Sequence, residues 1–498
     1  MLIPFEKLRS TGDGFGQQAA NHEQETPMNR LPTLHTFGRR TSRFLLLSAL
    51  CIALPTAFAQ QHRGVADRGY RTSVLHAADS LLERMYVLPE AAVAHATAFR
   101  QLAVSGWYDT CADAAAFAQL VTADLIRITG DAHLQLRVIA AGGGNGSPEG
   151  GLYHPIRYSR LRLRENTGFA RLEWVEGNIG VLDCRRFYHL SEAKEMVVAA
   201  MRFLSMAHAI IIDLRENRGG SGDFLSSYFL EHPTQLNSWY SRTEGTVMQF
   251  WTAPDPGAER LTAVPLFLLT SNKTFSAAES FAYDLQVRKR ATIIGEPTGG
   301  GAHSIDLVAI DDQFEFAIST ARAINPVTGG NWEGSGIVPE VRVPAALAMD
   351  TALVLARKAA AEYGRRQSAQ RQVLIDAMER YLKKAEGHYR ANRLTDGAAA
   401  IDSLVSVGTR AGLITEFFLS VLAYNYVAKE DEQMQYALIR KNIELFPRSP
   451  TVYENLASAC IARGDVERAI EAYTALLGVH PDDRNAASMI TQLRKKRE

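Results

Sequence analysis

Between residues 178 and 295 four short apolar runs alternate with two helical stretches, and this alternation narrows the fold more than any other feature. The runs are Asn178 to Leu182, Ala209-Ile210-Ile211-Ile212-Asp213-Leu214, Val264 to Thr270 and Ala291-Thr292-Ile293-Ile294-Gly295. Between them, Ala193 to Met206 and Ser276 to Val287 have the spacing of helices. A strand that is apolar at nearly every position is buried on both faces, whereas a strand with one wet face alternates. The expected core is an α/β sheet covered by helices on both sides, spanning 168–348.

The flanks read differently. Leu75, Ala78, Leu81, Leu82 and Met85, then Phe117, Leu120, Val121, Leu125 and Ile128, recur at helical spacing, which predicts an N-terminal helical cap within 60–140. Thr129-Gly130-Asp131 ends the cap, and His133 to Val138 alternate as a strand. Residues 141–167 form a glycine-rich loop and connecting strand, with six glycines from Ala141 to Gly151. Beyond a helical linker at 349–369, residues 370–498 read as an all-α repeat domain. Pro447 and Pro481 stand 34 residues apart, and Leu456, Ala457, Ala469 and Tyr473 fall at the spacings of a tetratricopeptide repeat. The unit before it has Leu422, Ala423 and Tyr426, with its second helix near Ala437 about two residues out of phase. A weaker unit is expected around Tyr389 to Leu404.

Residues 1–59 read as an upstream extension and signal peptide. Arg39-Arg40-Thr41-Ser42-Arg43 precede an apolar run from Phe44, and Ala57-Phe58-Ala59 supplies a small-x-small cleavage site. The expected location is exported, periplasmic or secreted, with membrane attachment only if this segment is retained. With 54 basic against 54 acidic residues and no basic block, the chain lacks the electrostatics of a nucleic-acid binder. Four cysteines in 498 residues exclude a disulfide scaffold. No HExxH and no paired CxxC occur, so neither metal nor cofactor is expected.

Two segments carry candidate chemistry. Ser276 follows a buried strand and opens a helix, where free N–H groups and the positive end of the helix dipole could stabilise an oxyanion. Ser276-x-x-Glu279 is equally a capping box. Asp213-Leu214-Arg215-Glu216-Asn217-Arg218-Gly219-Gly220 ends another strand, and paired glycines there let backbone approach a ligand closely.

Together these segments resemble the tail-specific, or C-terminal-processing, serine proteases over about residues 74–345. The resemblance rests on the Asp213-Leu214-Arg215-x-Asn217-x-Gly219-Gly220 strand end and on Ser276-Ala277-Ala278-Glu279 followed by Ala291 to Thr298. Asn166-Thr167-Gly168-Phe169, Gly177-Asn178-Ile179-Gly180 and Gly295 to His303 are similar to the interphotoreceptor retinoid-binding-protein branch. The resemblance implies a ClpP/crotonase-like spiral of β-β-α units. It implies Ser276 as nucleophile, with an oxyanion hole from the Ala277 amide and Gly219 or Gly220. The substrate would be a peptide or unfolded protein, with a protein partner possible at the repeats.

The chain departs from that family in two ways. The usual lysine base falls near Gly301, and no lysine occurs between Lys289 and Lys358. Only about 30 residues separate Val138 from Phe169, too few for the usual PDZ domain. A constellation resembling the tricorn core protease supplies a substitute: His133 as base and Glu333 orienting it, with His303 as the rival base. The alternative function is a non-catalytic binding protein that uses the same fold to carry an apolar ligand or peptide, with Ser276 only a helix cap.

Overall fold

The computed structural model describes residues 65, 67–111, 113–139, 163–426, 429 and 431–496. Residues 1–59, where a signal peptide is expected, and most of the glycine-rich stretch lie outside the described residues. All described elements belong to the unit His62–Glu498.

The cap is three helices, α1 (Arg68–Met85), α2 (Pro89–Val104) and α3 (Ala114–Thr129). Asp67 and Asp113 cap α1 and α3, accepting from Tyr70 N and Ala116 N. Gly130 stops α3 at φ 73°, a backbone that glycine adopts without penalty. The cap leads into β1 (Gln135–Val138), the predicted strand. Its apolar stripe, with Leu75, Leu82, Phe117, Val121 and Leu125, packs on Phe314, Phe316 and Ile318 far along the chain.

The core sheet contains β2 (Phe169–Val175), β3 (Ile179–Cys184) and β4 (Ala209–Asp213), with helix α4 (Leu190–Leu204) crossing from β3 to β4. A second sheet begins with β5 (Gln235–Ser241) and β6 (Thr246–Trp251). The chain then returns to the core with β7 (Leu266–Thr270), α5 (Ala277–Val287) and β8 (Thr292–Gly295). It adds β9 (His303–Ala309) and β10 (Phe314–Ile324) to the second sheet and closes the core with β11 (Val341–Arg342). The core order is β11-β8-β7-β4-β3-β2, parallel throughout except for β2.

Alternate residues of each strand face opposite ways. Leu182, Ile210, Ile212, Leu268 and Ile293 pack under α4 and α5, while Ile179, Val181, Ile211, Leu269 and Ile294 pack under a long C-terminal helix. Burial on both faces is what the continuous apolar runs predict. The other sheet, order β1-β10-β5-β6 with β9 also on β10, is antiparallel and ties the cap to the core.

That long helix, α6 (Ala348–Arg390), is 43 residues and runs unbroken through the expected boundary between linker and repeats. Ala348, Ala352, Ala356 and Ala360, four apart, form a buried stripe that lets it lie close on the sheet. Helices α7 (Leu394–Arg410), α8 (Glu416–Tyr424), α9 (Glu432–Leu445), α10 (Pro450–Ala462), α11 (Val466–Val479) and α12 (Arg484–Lys495) follow. The starts of α8, α10 and α12 are 34 residues apart, as are those of α9 and α11. Tyr389, Ala423, Leu438, Ala457, Ala469 and Tyr473 share their core. Among the described residues no helix is long and apolar enough to cross a membrane.

Candidate active site

The strand β7 ends in a turn that forces Ser276 to φ 57° and ψ −123°, a backbone that costs a non-glycine residue about 1–3 kcal/mol. A residue held in such strain at a strand-to-helix elbow has its side chain thrust out ahead of the helix. The surroundings enforce the strain. Gly219 packs so closely that a Cβ there would sit 2.9 Å from Ser276 Cβ and 2.9 Å from Ala277 N. Phe275 N donates to Asn217 O (3.1 Å), binding the two strand-end loops together.

Ser276 and Glu279 form the capping box their spacing predicts, with Ser276 N donating to Glu279 Oε2 at 2.8 Å. The Glu279 carboxylate, fully buried, reaches further. Its Oε2 also accepts from Gly301 N (2.8 Å), and its Oε1 accepts from Gly300 N (2.7 Å) and the Thr298 hydroxyl. Burial pushes this carboxyl upward, against the pull of those hydrogen bonds. One side chain thus pins the loop after β8 to the Ser276 turn. The same loop is laced to residues 331–337: Trp332 Nε1 donates to Gly301 O (2.8 Å), Gly334 N to Gly300 O (2.8 Å) and Ala302 N to Glu333 Oε2.

A cleft of about 770 Å³ opens at this turn, lined among others by Ser276, Ala277, Gly220, His133 and His303. Gly219 and Glu333 are not among the lining residues. The Gly219 amide is engaged, donating to Asn217 Oδ1 at 2.8 Å, so of the two glycines it is Gly220 that faces the cleft. Asn217 and Asp213 hold the loop in place. Asn217 Nδ2 donates to Cys184 O (3.0 Å), and Asp213 takes a two-pronged ion pair from Arg215.

The predicted pairing of Glu333 with His133 is not made: within 4 Å, the histidine beside Glu333 is His303, with Nδ1 3.7 Å from Oε1. The carboxylate behind His133 is instead Asp131, which lies between both imidazoles. Its Oδ1 is 3.6 Å from His133 Nδ1 and accepts from His133 N at 2.9 Å, while its Oδ2 is 2.8 Å from His303 Nδ1. Burial raises the Asp131 carboxyl, but the hydrogen bonds from the His133 backbone N–H and from His303, with the charge of His303, win, holding it well below the usual carboxylate range. An ionised Asp131 only accepts, so the His303 hydrogen sits on Nδ1. Burial, then repulsion from Asp131, pushes Glu333 up to about 6.

His133 is nine-tenths buried, stacks on Phe275 with ring centroids 4.5 Å apart, and neither ring nitrogen has a hydrogen-bond partner among the described residues. Sequence reasoning missed Asp131 as the shared anchor and Glu279 as the loop's pin. The signals were the two-residue step from Asp131 to His133 and the capping box itself.

Residues 178–343 match the model of peptidase family S41. The chloroplastic carboxyl-terminal-processing peptidase 1 of Arabidopsis thaliana is 26% identical over 206 residues, covering 38% of this chain and 39% of that protein. The carboxyl-terminal-processing protease of Picosynechococcus sp. is 25% identical over 204 residues, covering 40% and 47%. The chain therefore spans less than half the length of these curated relatives. Among solved structures, the photosystem II D1 C-terminal processing protease aligns at 16% identity and a TM-score of 0.35, over 56% of this chain and 94% of that one.

Proposed function

We propose that this chain, whose residues 178–343 are a peptidase family S41 domain, is a serine peptidase acting on peptide or unfolded protein through an acyl-enzyme on Ser276. The observation that carries the reading concerns Gly301, near which the family's lysine would stand. A Cβ on Gly301 would lie 2.3 Å from Phe275 Cζ and 2.6 Å from His133 Cε1. His133 fills the space that a side chain at 301 would need, beside the residue that precedes Ser276. In this reading a histidine from the cap has taken the lysine's place as base.

The cycle follows from that placement. Ser276 Oγ attacks the carbonyl while His133 accepts its proton, then returns it to the leaving amine. In this reading the oxyanion is received by the amides of Ala277 and Gly220, two residues that line the cleft. Asp131, held ionised, stabilises the charge that develops on His133, and Glu333 acts one step back through His303.

The finer architecture belongs to the same reading: a ClpP/crotonase-like spiral for the core, and tetratricopeptide-like repeats for the C-terminal helices. The 34-residue period of helix starts favours the repeats. Their groove of about 430 Å³, lined by Asn442, Asn455 and Arg463, suits an extended peptide or partner. Export rests on the N-terminal signal pattern alone.

A fluorophosphonate probe tests the core claim. Labelling should vanish in Ser276→Ala and persist in Cys111→Ala. His133→Ala should lower turnover on the order of 10³-fold or more, and His303→Ala by less. Labelling that survives Ser276→Ala would sink the reading in favour of a non-catalytic carrier.

A further inference from the structure

Behind the cleft histidines, Asp131, His303 and Glu333 bring one ligand atom each within 4.8 Å of one another. We infer that these three side chains, with His133 as a fourth, bind one divalent transition-metal ion of the zinc class, and that its binding shuts off the peptidase.

The geometry is close to what such an ion requires. Tetrahedral zinc with bonds of about 2.0–2.2 Å holds its ligand atoms about 3.3–3.6 Å apart. Asp131 Oδ2 and Glu333 Oε1 lie 2.8 and 3.7 Å from His303 Nδ1, and Asp131 Oδ1 lies 3.6 Å from His133 Nδ1. Small shifts close the three-residue site, whereas His133, 3.6 Å from the other Asp131 oxygen and outside the group within 4.8 Å, must turn toward it to become the fourth ligand.

The second observation is independent of the cluster. Both ring nitrogens of the nine-tenths buried His133, and the buried Oε1 of Glu333, have no hydrogen-bond partner among the described residues. Buried polar atoms are nearly always paired, and three unpaired ones around a single carboxylate need an explanation. A dication answers two of them, Glu333 Oε1 and one nitrogen of His133, and offsets two buried carboxylates. Imidazole nitrogens mixed with carboxylate oxygens suit zinc, whereas magnesium and calcium prefer oxygen alone. His133 and His303 line the cleft, which gives the ion a way in.

A metal on Nδ1 of His303 requires the hydrogen there to leave, and the ring then carries its hydrogen on Nε2 alone. A metal on His133 occupies the lone pair that would accept the Ser276 proton. This inhibitory half rests on the peptidase reading; the binding half does not. The ligands lie far apart in sequence, at 131, 303 and 333, so no spacing motif announces them.

Chelator-stripped full-length protein is titrated with zinc by calorimetry and with cobalt(II) by visible absorption, while hydrolysis of a peptide ester is followed. One zinc per chain is expected, with hydrolysis falling in proportion to occupancy, restored by chelator and untouched by magnesium. Ser276→Ala should still bind one zinc, and Glu333→Gln and His303→Asn should each weaken binding about 10–100-fold or more. No cobalt band saturating at one equivalent in the unmutated protein overturns the site whether or not the variants fold. Unchanged affinity in both ligand variants places zinc elsewhere and overturns it too. Zinc bound with hydrolysis unaffected overturns the inhibition, whereas a zinc-binding protein inert even without metal keeps the site and refutes the peptidase.

Discussion

Replacing Glu279 by glutamine probes the joint between the Ser276 turn and the loop that follows β8. The carboxylate accepts four hydrogen bonds, two on each oxygen, from Ser276 N, Gly301 N, Gly300 N and the Thr298 hydroxyl. An amide offers one acceptor oxygen and one NH₂. If the NH₂ replaces Oε2, both Ser276 N–H and Gly301 N–H lose their acceptor. If it replaces Oε1, the Thr298 hydroxyl can turn to accept from it, although that oxygen already accepts from Ile337 N at 2.7 Å. The Gly300 N–H is then orphaned and the turned Thr298 hydroxyl gives up its acceptor, but both backbone tethers on Oε2 survive, so this orientation should win. One buried N–H without a partner costs about 1–3 kcal/mol. The weaker bonds to a neutral oxygen are roughly offset by no longer burying a charge. A net loss of about 1–3 kcal/mol is therefore expected, a sizeable part of the about 5–15 kcal/mol of a typical domain. Denaturant unfolding measures it, with fluorophosphonate labelling run in parallel, because the strained Ser276 turn loses a tether only in the disfavoured orientation. Stability should fall while labelling slows only modestly. A loss below about 0.5 kcal/mol would refute the reasoning, since it would mean that Glu279 already carries a proton and behaves as an amide would.

Three further substitutions have expected outcomes. Gly301→Ala forces a methyl against Phe275 and His133, so kcat/KM should drop about tenfold or more and stability by about 1–3 kcal/mol; unaltered kinetics would detach His133 from catalysis. Ala356→Leu overpacks the contact between α6 and the core sheet and should cost about 1–3 kcal/mol in chemical denaturation, whereas Val354→Leu, on the exposed side of the same helix, should be neutral. Tyr228, whose hydroxyl donates to Pro256 O, is held up to about 12 by burial, so the unfolded chain ionises first as pH rises past the ordinary value of 10. Its share of stability is complete below pH 10 and declines by about 1.4 kcal/mol per unit between 10 and 12, and Tyr228→Phe should remove that slope from alkaline unfolding curves.

The fold was legible wherever burial was one-sided enough, or complete enough, to print a period on the sequence. The core strands are buried at nearly every position and read as continuous apolar runs; the cap and the C-terminal helices have one buried stripe each. Beyond β1, the antiparallel sheet was not legible, because its strands are buried by neighbours from distant parts of the chain. Strand β6 exposes five of its six residues, and β9 interleaves buried and exposed positions without a clean alternation. Strand β10 joins the two halves of this sheet, pairing with β1, β5 and β9, and only the folded chain supplies those partners. The unbroken α6 was missed for a related reason. A change from sheet-facing alanines to the larger residues Met378 and Tyr389 looks like a boundary between elements, although it records only a change of partner along one helix.

For the site, the elbow and both histidines singled out in the sequence lie at one cleft, while Glu333 stands beside His303 and not beside His133. Local spacing reveals a group that acts within its own element, such as Ser276 with Glu279. It is silent on which carboxylate lies behind which imidazole when they come from residues 131, 133, 303 and 333. Gly301 illustrates the difference. In sequence it registers only as a missing lysine, which argues against catalysis. In space it is a vacancy of a single Cβ, occupied by Phe275 and by an imidazole that rises from the end of the cap. A side chain at 301 and His133 in its present position exclude one another. A lysine reintroduced at 301 should displace the histidine instead of adding a second base.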